Sequence, residues 1–303
     1  MLAKKYRSVN EISTMSNIIL NIFYILLVAI CLLPILLVVA ISFTDEKEIL
    51  MNGYSLIPKV FSTEAYKFVL SAGEGIVSGY TISIIVAVLG TVLSTSVITL
   101  YAYPLSRSNF RYKNQFAFFA FFTMIFGGGL VPWFIVYSQL IRIRGTIWIL
   151  IIPYLMNAWY VMIMRTFIKT TVPESLMESA KIDGAGEFRT FFSIVLPLLK
   201  PGLATIGLLS CLGYWNDWYL PLVFLTDRKL YNIQYVMYQT LSDIQFLTSG
   251  SANFAQLGNV LADLPGESAR MVIAVLSIGP IVFAYGFFQK YFIKGLTIGA
   301  VKG

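Results

Sequence analysis

Asp217 is the one acidic residue well inside an apolar run of this chain, and its neighbours Tyr214, Trp215, Asn216, Trp218 and Tyr219 mix aromatic faces with hydrogen-bonding groups. A charge near lipid is costly, so this carboxylate must face protein or water. At about 1.5 Å per residue from Pro201, it lies roughly 24 Å along its helix. Aromatic faces beside a carboxylate and an amide suit the rings and hydroxyls of a sugar. An aromatic belt at a membrane interface has the same composition without binding anything, and both readings fit. Asn157, which follows Pro153 in another apolar run, divides in the same way between a solute path and an interhelical hydrogen bond.

Other chemistry is limited by what the chain lacks. With no histidine, the commonest general base and metal ligand are gone, and so are the Ser-His and Cys-His nucleophile pairs. Cys31 and Cys211 both lie in apolar runs and read as small buried hydrophobes rather than a disulfide or zinc site. No cluster of catalytic residue types is visible, so neither a catalytic residue nor a metal site is expected. No G-x-x-x-x-G-K-[S/T] phosphate loop occurs. No arginine-rich tail or stacking module points to nucleic acid.

The second stretch with functional character is a polar, glycine-punctuated island at 173–197. Thr171 and Glu174 have capping-box spacing, and Asp183-Gly184 is a helix-ending dipeptide, so the spacing predicts helix, turn, helix. Phe188, Phe191 and Phe192 recur at i, i+3 and i+4 and are expected to share one face, as are Leu176, Met177 and Ala180. Such an element has apolar faces to bury, either on a membrane surface or on a partner outside the bilayer.

The elements that must hold these residues are membrane helices. The 303 residues are 57% hydrophobic and only 12% charged, with a mean hydropathy of +0.76, against about 25% charged in soluble domains. About 20 apolar residues cross the hydrocarbon layer, which predicts six spans, near 17–42, 78–103, 114–140, 146–168, 198–225 and 271–293. The basic run Lys4, Lys5, Arg7 precedes a span too long for a signal peptide. With both termini in the cytoplasm, the cytoplasmic segments hold fourteen of the 22 lysines and arginines, the bias expected of inside loops. Arg142 and Arg144 fit this orientation poorly. The island 173–197 then falls on the cytoplasmic side. Gly127, Gly128 and Gly129, followed by Pro132, are expected to permit tight helix packing in the third span, with a broken helix as the other reading. The external region 226–270, with Tyr231, Tyr235 and Tyr238, reads as an amphipathic surface helix or as a contact for a solute-binding protein. No repeat or linker divides the chain, so a single transmembrane domain, 1–303, is expected.

The residues Glu178, Ser179, Ala180, Lys181, Ile182, Asp183, Gly184 and Ala185, with Phe188, Phe191, Ile194 and Leu196-Pro197, resemble the EAA loop of ATP-binding-cassette importer permeases. Phe126-Gly127-Gly128-Gly129, Gly213-Tyr214-Trp215-Asn216-Asp217-Trp218 and Gln289 to Leu296 resemble the carbohydrate-uptake, maltose-permease-like branch of that family. Ser179 stands where the motif has its first alanine. The resemblance implies an all-α integral membrane protein in which 173–197 is a coupling helix docked on a separate ATP-hydrolysing subunit. It also implies a second homologous permease, two ATP-binding subunits that hold ATP and Mg, a solute-binding protein and a multi-pass place in a prokaryotic plasma membrane. Its closest pattern is that of permeases for oligosaccharides and polysaccharide fragments, including uronate-containing ones. A stand-alone secondary transporter or channel is the other class of reading, for which a lone Asp217 supplies one intramembrane carboxylate.

Overall fold

The computed structural model describes residues 13–71, 74–248 and 266–300. The basic run Lys4, Lys5, Arg7 lies outside the described residues, as does most of the stretch between Thr248 and Gly266. The described chain is helical, and its one β-type contact is the isolated antiparallel bridge between Thr44 and Phe61. Packing separates two units, one drawn from Met1–Ser71 and Ile244–Val275, the other from Ala72–Asp243 and Leu276–Gly303.

In the first unit, α1 (Thr14–Ser42) starts at Ser13, whose hydroxyl accepts from the Ser16 N–H at 3.1 Å. It is 29 residues long, and none of its most apolar window is buried. A helix that is apolar on every side and unpacked along such a window is one whose solvent is lipid. After it, Phe43 stacks on Phe61 and Tyr66 at 5.4 and 4.8 Å. Asp45 then caps α2 (Glu46–Asn52) by accepting from the Lys47 N–H at 3.0 Å, and α3 (Glu64–Ser71) follows.

The second unit is organised on α4 (Glu74–Ser106), a 33-residue helix about 50 Å long. A share of 33% of its apolar window is buried. Within its membrane stretch the hydroxyls of Thr81, Ser96 and Thr99 return to the carbonyls four residues back, the local solution for a donor that finds no water. Two partners pack on it: α7 (Ala158–Thr171) and α11 (Lys200–Trp215). Ile98, Ala102 and Leu105 of α4, Val161, Met164 and Ile168 of α7, and Ile206 of α11 share one core. Close approach is paid for in side-chain volume, since a Cβ on Gly90 would sit 2.7 Å from the Tyr214 ring and one on Gly202 2.6 Å from the Phe167 ring.

The expected spans at 17–42 and 78–103 are continuous helices. The next three are broken. The third divides into α5 (Lys113–Ile125) and α6 (Leu130–Ile135), which runs on as a π-helical turn to Leu140, and the two parts meet at 115°. The expectation of tight packing at the glycines is overturned here. Gly127 and Gly129 have open space where a Cβ would stand, and Gly129 has φ +80°, so the glycines serve a sharp break rather than a crossing. The fourth opens with two 3-10 turns, Ile147–Leu150 and Ile152–Tyr154, bent 53° from α7. Before the fifth, α9 (Glu187–Thr190) continues through a π turn and α10 (Leu196–Leu198) to a 79° bend, and the span itself begins as α11. It ends at Trp215 and resumes as α12 (Tyr219–Phe224).

Among the described residues two further helices follow: α13 (Ile233–Thr248) and α14 (Glu267–Ala300). The C-terminal motif from Gln289 to Leu296 lies on the backbone of α14. Among the described residues, two helices are individually long and apolar enough to cross a membrane, and up to five spans result if each bent pair counts as one.

Candidate functional site

The island at 173–197 folds as helix, turn, helix. The first helix, α8 (Glu174–Ile182), has Pro173 at its N-cap without a side-chain cap. The expected capping box at Thr171 therefore does not form. Thr171 is the last residue of α7, and Glu174 instead accepts from the Ser108 hydroxyl. The end of α8 is a Schellman motif: the Ala185 N–H donates to the Ala180 carbonyl at 2.9 Å and the Gly184 N–H to Lys181 at 3.1 Å, with Gly184 at φ +76°. Glycine is required there by backbone conformation, because no atom stands within 4 Å of a Cβ built on it.

The faces of this element differ from those expected. Met177 and Phe191 are buried in the core shared with α4 and α7, and Ala180 is also enclosed. Phe188 and Phe192 are 81% and 55% exposed, so the three phenylalanines do not share a face. Phe191, where a π-helical turn (Phe191–Val195) begins, turns inward onto Tyr103 at 5.0 Å. Leu176 also parts from Met177 and Ala180, standing half-exposed. What faces outward is Glu178, Ser179, Ile182, Asp183 and Phe188, while Pro197 lies exposed in α10.

Two residues that the motif did not single out lock this element to α4. Tyr103 donates its hydroxyl to Glu187 at 2.9 Å, and Arg107 lies 3.7 Å from the other oxygen of the same carboxylate. Arg107 also contacts the Met177 sulfur. The i, i+4 spacing of Tyr103 and Arg107 at the end of an apolar helix was a readable signal for a shared face. Beside these groups lies a cavity of about 410 Å³, lined by Leu100, Phe110, Lys181, Phe188 and Phe191 among others.

A second cavity, of about 460 Å³, opens where two helix breaks meet. One break is the start of α7, where Asn157 Oδ1 accepts from the Trp159 and Tyr160 N–H groups at 2.9 and 3.3 Å. Asn157 is thus a local cap, and the interhelical bond expected of it is replaced by one within its own turn. The other break is Asn216 to Trp218. Asp217 Oδ1 accepts from the N–H groups of Tyr219 and Leu220 at 3.1 and 3.2 Å, capping α12, and from the Tyr154 hydroxyl at 3.3 Å. An acidic side chain in an apolar run is explained by this arrangement, since a helix restarting inside protein needs acceptors for its first N–H groups.

Of the residues read from sequence, Asn157, Tyr214, Asn216, Asp217 and Trp218 line this cavity together, and Trp215 is not among them. Trp215 is buried and donates its indole N–H to the Ser277 carbonyl at 3.0 Å, while Tyr214 donates to Ile151 at 3.0 Å. Sequence reading missed Ser210 and Tyr160 on the wall and the stack of Trp218 on Tyr238 at 4.6 Å. Tyr238 lies on α13, which is packed in by Ile233, Tyr235 and Met237.

Comparison with known proteins gives this geometry a family. The chain is 35% identical over 282 residues to the polygalacturonan/rhamnogalacturonan transport system permease protein YtcP of Bacillus subtilis (strain 168), covering 93% of this chain and 96% of that one. It is 27% identical to the arabinooligosaccharides transport system permease protein AraQ of the same organism, covering 95% and 96%. Among solved structures, a chain of a bacterial ABC transporter involved in the import of the acidic polysaccharide alginate superposes with a TM-score of 0.75 at 26% identity, covering 93% of this chain and 99% of that one. Residues 106–298, which contain both breaks of the second cavity and the whole helix-turn-helix, match the model of one family, and the chain belongs to it: the binding-protein-dependent transport system inner membrane components.

Proposed function

We propose that this chain is one of two homologous permease subunits of an ATP-binding-cassette importer that brings a carbohydrate, an oligosaccharide or polysaccharide fragment, into the cytoplasm. The relatives named above serve polygalacturonan/rhamnogalacturonan, arabinooligosaccharides and alginate, and this supports the solute class. The observation that carries the reading is the α8–α9 element. It is anchored inward by Met177, Phe191 and the Tyr103–Glu187–Arg107 contacts, and it presents Ile182 and Phe188 outward at 86% and 81% exposure. A rigidly held element with outward apolar side chains needs a partner, and a chain with no phosphate loop needs a separate motor. In this reading Glu178, Ser179, Asp183, Gly184 and Phe188 meet the ATP-binding subunit, while Ala180 and Phe191 hold the element on the bundle.

The proposal includes six spans in one domain, 1–303, with α14 as the sixth, both termini in the cytoplasm and 173–197 on the ATP side of a prokaryotic plasma membrane. Two ATP-binding subunits supply ATP and Mg, and a solute-binding protein delivers the sugar from outside. Closure of the motor subunits draws the coupling elements together, and the tight α4–α7–α11 packing carries that motion as a rigid body to the cavity at the two helix breaks. Asn157, Tyr214, Asn216, Asp217 and Trp218 then lie on the solute path.

The test is reconstitution in vesicles with the partner permease, the ATP-binding subunits and the solute-binding protein. Saccharide uptake is expected only with ATP inside the motor compartment. Uptake by this chain alone, driven by an ion gradient, would establish the secondary-transporter reading instead.

A further inference from the structure

The walls of the cavity at the α11–α12 break carry one charged group, and it is an anion: Asp217. Among the described residues no lysine or arginine lines the space. Two oxygens of lining residues, Asp217 Oδ2 and Ser210 Oγ, are buried without a hydrogen-bond partner among the described residues, and their residues are only 7% and 5% exposed. An ionised carboxylate is an acceptor only, so what completes it is an O–H or N–H donor. Next to it stand two half-exposed rings, Trp218 and Tyr219. Their planes are fixed from behind, Trp218 by its stack on Tyr238 at 4.6 Å and Tyr219 by Trp133 at 6.2 Å.

A sugar ring meets both demands, with its C–H face on an aromatic plane and its hydroxyls as donors. A uronate carboxylate meets neither. It brings a second negative charge to Asp217 where no cation among the described lining residues offsets it, and around a carboxylate as buried as this one water screens that repulsion poorly. Nor do the nearby arginines repair this. Arg144 places its guanidinium over the Phe134 ring at 5.4 Å and Arg142 donates to the Gln139 carbonyl at 3.3 Å, and neither lines the cavity.

We propose that this cavity is a saccharide subsite that takes the hydroxyl edge of an uncharged sugar unit, and that Asp217 excludes a uronate carboxylate from it. The inference rests on the solute-path reading above and narrows it. If the solute is acidic, its carboxylates are met elsewhere along the path, and the ring that passes Asp217 turns its hydroxyls toward it.

The experiment compares two probes with one skeleton, trigalacturonate and its methyl ester, binding to the full chain in lipid nanodiscs at pH 7.5, read by tryptophan fluorescence. The ester is expected to bind about tenfold or more tightly than the acid, a gap of one decade in Kd. Asp217→Asn keeps an acceptor for the Tyr219 and Leu220 N–H groups, so α12 stays capped, and it is expected to shrink the gap to within about threefold. Trp218→Ala, which alters a half-exposed ring, is expected to weaken ester binding at least about fivefold with the chain still folded. The proposal is overturned if the acid binds as tightly as the ester, if the preference survives Asp217→Asn, or if neither probe binds. ATP-driven uptake by the assembled importer is scored separately, so the transport reading stands or falls on that measurement whatever the charge preference proves to be.

Discussion

Glu46 and Ser268 are 222 residues apart and meet through two hydrogen bonds, with Glu46 Oε2 accepting from the Ser268 N–H at 2.9 Å and from its hydroxyl at 2.6 Å. The other oxygen accepts from the Glu267 N–H at 2.8 Å. These N–H groups open α14 and have no partner within the helix, so a carboxylate from α2 supplies their cap. Tyr54 completes the joint by donating its hydroxyl to Glu267 at 2.8 Å.

Removal of this carboxylate should be costly for its size. Glu46→Ala strands the opening N–H groups of α14 and the Ser268 hydroxyl, and the expected loss is about 1–3 kcal/mol. Glu46→Gln keeps one acceptor and should lose less. Thermal unfolding of the purified chain in detergent reads the difference, and an unchanged midpoint for Glu46→Ala would show that the cap contributes nothing.

At Gly90 the limit is space. A methyl group there meets the Tyr214 ring at 2.7 Å, and that ring is buried with its hydroxyl held by the Ile151 carbonyl at 3.0 Å, so moving it breaks a buried hydrogen bond. Gly90→Ala is therefore expected to push α11 from α4 and destabilise the chain by about 1–3 kcal/mol. The double variant Gly90→Ala with Tyr214→Leu, which relieves the clash, should recover part of that loss. If the single change leaves the unfolding midpoint in place, the helices are not in the close contact described.

At Gly184 the limit is conformation. Gly184→Val forces a β-branched residue to φ +76°, at a cost of about 1–3 kcal/mol confined to one turn. Gly184→Asn tolerates that region better and should behave close to wild type. Any loss of global stability is bounded by that cost, since the exposed turn can relax, and the relaxation changes the angle between α8 and α9. Retention of the ATP-binding subunits on affinity-purified permease is expected to fall for valine and to persist for asparagine. Equal retention by the two variants would remove the turn from the coupling role.

The contrast between these glycines marks what was legible from the residues alone. Helix content and the apolar runs could be read directly, because about 20 apolar residues in sequence have few other destinations. Asp183-Gly184 could be read as a helix stop, because positive φ is a local demand that glycine announces. The breaks could not. Two of the runs read as continuous spans are bent, by 115° and 53°, and a third is interrupted between Trp215 and Tyr219, since hydropathy counts apolar residues without regard to direction. Gly127 to Gly129 signalled weakness in a helix without saying whether packing or a bend exploited it. Asp217 and Asn157 stood out as polar residues in apolar runs, yet their shared purpose as caps of restarting helices depends on those breaks. Tyr103 and Arg107 went unremarked because their partner, Glu187, lies 84 residues from Tyr103.

The inward and outward aromatics of the coupling element give the sharpest separation of folding from function. Phe191 is 5% exposed and packs on Tyr103 in the core, so Phe191→Ala should cost about 3–5 kcal/mol through lost burial and the cavity left behind. Phe188 is 81% exposed. Phe188→Ala should leave the unfolding midpoint of the isolated permease within about 0.5 kcal/mol of wild type, while binding of the ATP-binding subunits weakens at least about tenfold. Paired measurement of detergent unfolding and subunit affinity separates the two roles, because a buried residue moves the first and a docking residue moves only the second. If Phe188→Ala binds the ATP-binding subunits as tightly as wild type, the outward face of α8–α9 is not where the motor sits, and the partner of Ile182 and Phe188 must be sought in the lipid headgroups.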